Sequence, residues 1–164
     1  MISDKLKIYH KPKLKNARLL LGFYGWMDGG DVSTGTVKYL IEQFGAERFA
    51  TIKPEGFYIY SFPGSMEMSS LFRPHATIEN GMIQKYRIPR NTFYCDEKND
   101  LILFIGKEPN LAWEQYCECI FSLCERFDVR EIYFVGSVAG LTPHSRKPRI
   151  HCSVSNEKLK GALR

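Results

Sequence analysis

Three short, continuous apolar runs organise the chain: Arg-Leu-Leu-Leu-Gly-Phe-Tyr at 18–24, Leu-Ile-Leu-Phe-Ile at 101–105 and Ile-Tyr-Phe-Val at 132–135. Runs that are apolar at successive positions, rather than alternating, predict strands buried on both faces. After the first run, Val37, Leu40, Ile41 and Phe44 recur at helical spacing, with Asp31 as N-cap and Gly45 as stop. After the second, Trp113, Cys117, Ile120, Phe121, Cys124 and Phe127 form one helical stripe, with Asn110 as cap and Glu114, Glu118 and Glu125 on the other face. This alternation predicts a three-layer α/β/α fold with a largely parallel sheet.

A different pattern fills the middle of the chain. Residues 48–53 and 56–61 read as strands, 62–74 as a loop rich in Ser, Gly and Met, and 75–79 and 82–88 as the arms of an antiparallel hairpin. The hairpin turns on Asn80-Gly81, two residues that tolerate the positive φ of a type I′ turn. The aromatic segments 57–62 and 93–94 are read as exposed β surface suited to self-association, the alternative being that they fill the core. Residues 149–154 read as a last strand, and Asn156 as the start of a helix.

With 164 residues, 44% hydrophobic and 25% charged, the chain is expected to form a single domain over 1–164, preceded by a basic lead-in at 1–17. The helix opening near Asn156 has little chain left to complete it, so the sequence reads as the N-terminal major part of a longer domain. No apolar run reaches the roughly 20 residues of a bilayer helix, and no signal-peptide stretch follows Met1, which points to the cytoplasm and away from a membrane.

The net charge of +5 changes meaning once it is located. Lys5, Lys7, Lys11, Lys13, Lys15 and Arg18 stand near one end, and Arg146, Lys147, Arg149, Lys158, Lys160 and Arg164 near the other, leaving an acidic middle that holds the aromatics. Nucleic-acid readers interleave basic and aromatic side chains on one face, so that partner is not expected. Five cysteines without secretory context do not form a disulfide framework. Cys117 and Cys119 lie about 200° apart on a helix and cannot share a metal; Cys117 and Cys124 are read as small apolar fillers. No metal and no cofactor is expected.

Parallel neighbours joined by right-handed crossovers send the segments after each apolar run to one rim of the sheet, where ligands of open α/β folds bind. The first such segment, 22–30, holds Gly22, Gly25, Trp26, Asp28, Gly29 and Gly30. Its glycines fit either a tight strand-to-helix turn or close backbone approach to an anion, although it lacks the P-loop pattern. The second offers Glu108, as a partner of the helix dipole or as a ligand-facing carboxylate. The third offers Pro143-His144-Ser145-Arg146, either a solvated loop or a proton donor beside a guanidinium fork. Ser137 lacks a nucleophile-elbow context, and no complete catalytic constellation is visible, so the catalytic residues are unknown.

Gly-Phe-Tyr-Gly-Trp-Met-Asp-Gly-Gly at 22–30, Arg73-Pro74, Gly106-Lys107-Glu108-Pro109 with Trp113, and Gly136 through Pro143-His144-Ser145-Arg146 resemble, in order and approximate spacing, the proteasome assembly chaperone 2 family from about residue 17 onward. The resemblance implies a phosphorylase-like α/β/α fold. It marks Gly22, Gly25, Trp26, Asp28, Gly30, Gly106, Glu108, Pro109, Trp113, Gly136, Pro143, His144 and Arg146 as motif positions, without making them catalytic. Eukaryotic members of that family pair to guide assembly of the proteasome α-ring, whereas prokaryotic members are mostly uncharacterised. The expected function is therefore a non-enzymatic assembly or interaction module, acting as a homo-oligomer or with related protein subunits. The alternative is a small-molecule-binding protein or enzyme, phosphorylase-like or ligase-like, with Glu108, His144 and Arg146 converging on a small anionic ligand at the strand carboxyl ends. The sequence closes on Gly161-Ala162-Leu163-Arg164 rather than the hydrophobic-Tyr-x tail of chaperones that dock in proteasome pockets.

Overall fold

A computed structural model describes residues 4–141, 143–147 and 150–162. Six strands form one sheet: β1 (Leu6–Ile8), β2 (Arg18–Tyr24), β3 (Glu47–Ile52), β6 (Asn91–Asp96), β7 (Leu101–Lys107) and β8 (Glu131–Phe134), in the spatial order β1-β3-β6-β7-β2-β8. A separate two-stranded hairpin pairs β4 (His75–Glu79) with β5 (Met82–Arg87). The helices are α1 (Val32–Phe44), α2 (Met66–Phe72), α3 (Trp113–Arg126) and α4 (Glu157–Ala162).

The three apolar runs are parallel neighbours, β2 pairing with β7 on one side and β8 on the other. The other half of the sheet departs from the expected parallel arrangement, because β1/β3, β3/β6 and β6/β7 are antiparallel. A tight turn between Asp96 and Leu101 forces β6 back along β7: the Asp96 carboxylate accepts from Lys98 N and Asn99 Nδ2, and Asp100 takes φ 51°. The sheet is mixed, and part of the basic lead-in contributes its edge strand β1.

Successive residues of β2 face opposite layers. Gly22 faces α1, where an added Cβ would lie 2.6 Å from Val37 Cγ2 and 2.8 Å from the Ser33 carbonyl oxygen. Phe23 faces α3, with its ring 6.2 Å from that of Tyr116 and 5.5 Å from that of Phe104. Helices therefore cover both faces, as the three-layer expectation requires, and the larger buried cluster lies on the α3 side around Phe23, Phe57, Phe93, Phe104 and Tyr116.

Several local expectations need correcting. Residues 56–61 form no strand: Phe57 O accepts from Asn110 N and Leu111 N, and Ile59 N donates to Asn110 Oδ1, so this segment is fastened to the loop after β7. Asn110 is thus spent away from the start of α3, whose N-cap position is Ala112 with left-handed backbone. The loop at 62–74 contains α2, capped by Ser65 Oγ on Met68 N. The buried stripe of α3 is Tyr116, Cys119, Ile120, Leu123 and Cys124; Trp113 and Phe121 stay about half exposed. Tyr116 selects this rotation because its ring packs on Phe57 at 5.1 Å while its hydroxyl reaches Lys107 O. Phe57 and Phe93 fill the core instead of the surface. Residues 150–154 are irregular and 149 lies outside the described residues, so the described part of 149–154 holds no strand.

Candidate functional site

The loop after β2 is fastened to its neighbours from three directions. Glu108, at the end of β7, accepts from Trp26 N at 2.9 Å and Met27 N at 3.5 Å through its carboxylate, while its own N–H donates to Tyr24 O. Gly25 has φ 150°, and an added Cβ would run into that carboxylate. Glycine is required here both by the dihedral and by the close approach.

Asp28 turns the other way. Its carboxylate accepts from Thr34 N at 2.9 Å and Thr34 Oγ1 at 2.8 Å, which satisfies one amide and one hydroxyl donor in the first turn of α1. Asp28 thus does the work expected of Asp31, which sits at the N-cap position with φ 56° and makes no side-chain cap bond. Gly30, at φ 61° with open space around it, lets the chain enter the helix by way of a short 3-10 turn at Gly29–Asp31.

The third attachment comes from beyond β8. Ser137 Oγ donates to Gly29 O at 2.6 Å, Ser137 N donates to Met27 O, and Gly29 N donates to Ser137 O. Gly136 lies against Met27, whose Cε would be 3.1 Å from an added Cβ. Ser33 closes the inner side by donating to Val135 O and accepting from Phe23 N. The hydroxyl of Ser137 and the carboxylates of Asp28 and Glu108 are therefore engaged in internal bonds, Asp31 stays exposed, and the large apolar side chain this platform presents to solvent is Trp26, 83% exposed.

Of the residues singled out from the sequence, Gly22, Gly25, Trp26, Asp28, Gly30, Glu108 and Gly136 meet at this rim. Gly106 belongs to the layer beneath, where an added Cβ would strike Tyr116 Oη and Phe104 Cζ at 2.7 Å; Pro109 is buried and Trp113 is half exposed. Pro143, His144 and Arg146 lie in an exposed turn closed by Arg146 N on Pro143 O. Among the described residues, the His144 and Arg146 side chains make no hydrogen bond or ion pair with Glu108 or the glycine loop.

Sequence reasoning missed a buried polar node on the same rim. Asn91, almost fully buried, accepts at Oδ1 from Tyr58 Oη at 2.8 Å and Lys107 N at 3.1 Å, and its Nδ2 donates to Ile52 O. Burial pushes the Tyr58 hydroxyl up to about 12, so it stays protonated and donates also to Lys107 O. The one available signal was an Asn opening an apolar run, which is also what a turn would show. The described residues hold no group of three or more His, Cys, Asp or Glu arranged for a metal.

A mixed sheet between helices, with a glycine loop latched across the ends of its parallel strands, defines an α/β/α protein whose rim is a built platform. The chain belongs to the PAC2 family, whose model matches residues 22–164. Among solved structures, it is similar to an unknown-function protein of Mycobacterium tuberculosis, with 20% identity, TM-score 0.79, and 98% of this chain covered against 54% of that one. It is also similar to a PAC2 family protein from Streptomyces avermitilis (20% identity, TM-score 0.71, 90% and 61% covered) and to a proteasome-assembly chaperone homologue of Mycobacterium tuberculosis (24% identity, TM-score 0.65, 78% and 52% covered). The chain thus spans little more than half the length of these relatives, and the likenesses establish the fold. No curated protein matches it. Among the described residues, no helix is long and apolar enough to cross a membrane.

Proposed function

We propose that the chain is a non-enzymatic assembly or interaction module, pairing with a second copy or with related protein subunits through β8 and the adjoining Trp26 loop. The observation that carries this reading is the exposure of β8. A strand in parallel pairing is ordinarily covered on both faces, yet Ile132, Tyr133 and Phe134 are each about half open, and the outer edge of β8 has no strand partner among the described residues. The bonds from Ser137 to Met27 and Gly29 hold Trp26 beside this edge, and an exposed Trp on a rigid support is the kind of anchor that concentrates binding energy. One relative's description as a proteasome-assembly chaperone homologue agrees with a protein-subunit partner. On this reading the protein works in the cytoplasm.

The test combines light scattering on the purified chain with crosslinking in the source cell. Self-association or a recurrent crosslinked protein subunit is expected, weakened by Ile132→Lys and by Trp26→Ala. A monomer that yields no recurrent crosslinked subunit, or an association indifferent to both substitutions, overturns the reading.

A further inference from the structure

A second feature of the rim lies on the far side of β7 from the latched loop and takes no part in the interaction reading. A cleft of about 240 Å³ opens where the base of the β4–β5 hairpin meets the end of β7, and its lining includes Tyr58, Tyr60, Arg73, His75, Arg87 and Lys107 but no acidic residue. Local structure explains why the cations gather. Arg73 ends α2 with extended backbone (φ −71°, ψ 143°), so Arg73 and His75, two residues apart, project to the same side. His75 is the register partner of Arg87 across the hairpin, which adds Arg87 to that side. Lys107 completes the set from β7, with its Nζ 5.8 Å from the centre of the Tyr58 ring.

Among the described residues, none of Arg73, His75, Arg87 and Lys107 is in an ion pair. The Tyr58 hydroxyl is occupied by Asn91 and Lys107 O, which leaves its ring as a rigid apolar wall. We propose that this cleft binds a compact phosphate-bearing ligand, either inorganic phosphate or the phosphate monoester of a small metabolite. Two guanidinium groups offer the bidentate geometry that phosphate oxygens accept, and a doubly charged anion matches three permanent cations better than a single carboxylate does. The volume falls below the roughly 300–1,000 Å³ of sites for drug-sized ligands, which fits a compact ligand. Arg73-Pro74, a motif with no part in the latched loop, acquires a role as one arm of this site.

Isothermal titration of the full chain with inorganic phosphate and, separately, with glycerol 3-phosphate tests the proposal, with sodium chloride holding ionic strength constant. Saturable one-to-one binding of at least one probe is expected, weakened about tenfold by Arg73→Gln and again by Arg87→Gln, and unchanged by Arg146→Gln. Tighter binding of the ester assigns the metabolite source; equal or tighter binding of phosphate assigns the free ion. Absence of saturable heat with both probes overturns the proposal, as does full retention in the Arg73→Gln/Arg87→Gln double variant, or loss caused by Arg146→Gln. The substituted side chains are all exposed, so the variants leave the core intact, and none of these outcomes bears on whether β8 pairs with protein.

Discussion

Removing the Glu108 carboxylate should loosen the glycine loop by an amount that the geometry sets. The bond from Trp26 N at 2.9 Å is short and charge-assisted, whereas that from Met27 N at 3.5 Å contributes little. Hydrogen bonds to charged groups contribute about 1.5–3 kcal/mol, and this one is open to solvent, so Glu108→Ala should cost about 1.5 kcal/mol. In a chain of this length that lowers the melting temperature by roughly 3–6 °C. Glu108→Gln keeps one acceptor oxygen and should recover about half of the loss. Gly25→Ala adds a Cβ directed at the same carboxylate in a dihedral that L-residues rarely adopt, which should cost ~1–3 kcal/mol. In the Glu108→Ala background the steric part disappears while the dihedral part remains, so the double variant should be less destabilised than the sum by roughly 1 kcal/mol. Calorimetric melts of the four proteins of this cycle, with hydrogen exchange at residues 25–31, provide the measurement. Additivity within about 0.3 kcal/mol, or unchanged exchange in Glu108→Ala, would refute the latch.

Asn91→Ala strips the half-buried Lys107 N–H of its partner and deprives Tyr58 of one of two acceptors, so urea unfolding should report a loss of about 2–4 kcal/mol; a loss under about 1 kcal/mol would mean that water replaces the side chain. Burial raises Tyr58 from its ordinary 10 to about 12, and Cys95 and Cys124 from 9 to about 11. A raised folded value means that the unfolded chain loses its proton first; stability should therefore be intact below pH 9 and fall as pH rises through 11 toward 12. Unfolding midpoints that agree at about pH 8 and about pH 11 would contradict this. Cys152 is exposed whereas Cys95, Cys119 and Cys124 are buried, so under native conditions a thiol reagent should modify Cys152 first, and rapid labelling of Cys119 would place α3 in the wrong rotation.

Local pattern carried far where one element dominates its own environment. The continuous runs at 18–24 and 101–105 became β2 and β7, and Asn80-Gly81 became a turn with φ of 51° and 75°. Pattern failed where a distant partner decided the outcome. For α3, Trp113, Cys117 and Phe121 compose as good a stripe as Tyr116, Cys119 and Leu123; the choice fell to Phe57 and Lys107 O, which no periodicity in α3 encodes. Residues 56–61 alternate like a strand, but Asn110 reaches back to claim their backbone. The N-cap of α1 was misplaced for a related reason: Asp31 holds the expected position, yet a left-handed backbone there leaves the capping to Asp28, three residues earlier.

The rim shows the same division between what spacing reveals and what direction decides. Glu108, His144 and Arg146 follow parallel strands and so were expected to face one ligand, but topology fixes only the rim to which a segment travels, not the way its side chain turns. Glu108 turns inward because two loop amides and the missing Cβ of Gly25 make room for it, and there it is satisfied before any ligand arrives. Asp28 is likewise satisfied by Thr34. The acidic members of the motif therefore hold the platform together, whereas the cations of the neighbouring cleft come from the hairpin base and from Lys107, where no carboxylate stands opposite them. Arg73, His75, Arg87 and Lys107 line one concavity with no ion pair among the described residues, which is why phosphate is proposed to bind there and not on the latched loop. The latched loop, with Asp28 paired to Thr34 and its backbone held by Glu108 and Ser137, leaves Trp26 as the exposed apolar group on which the proposed interaction would draw.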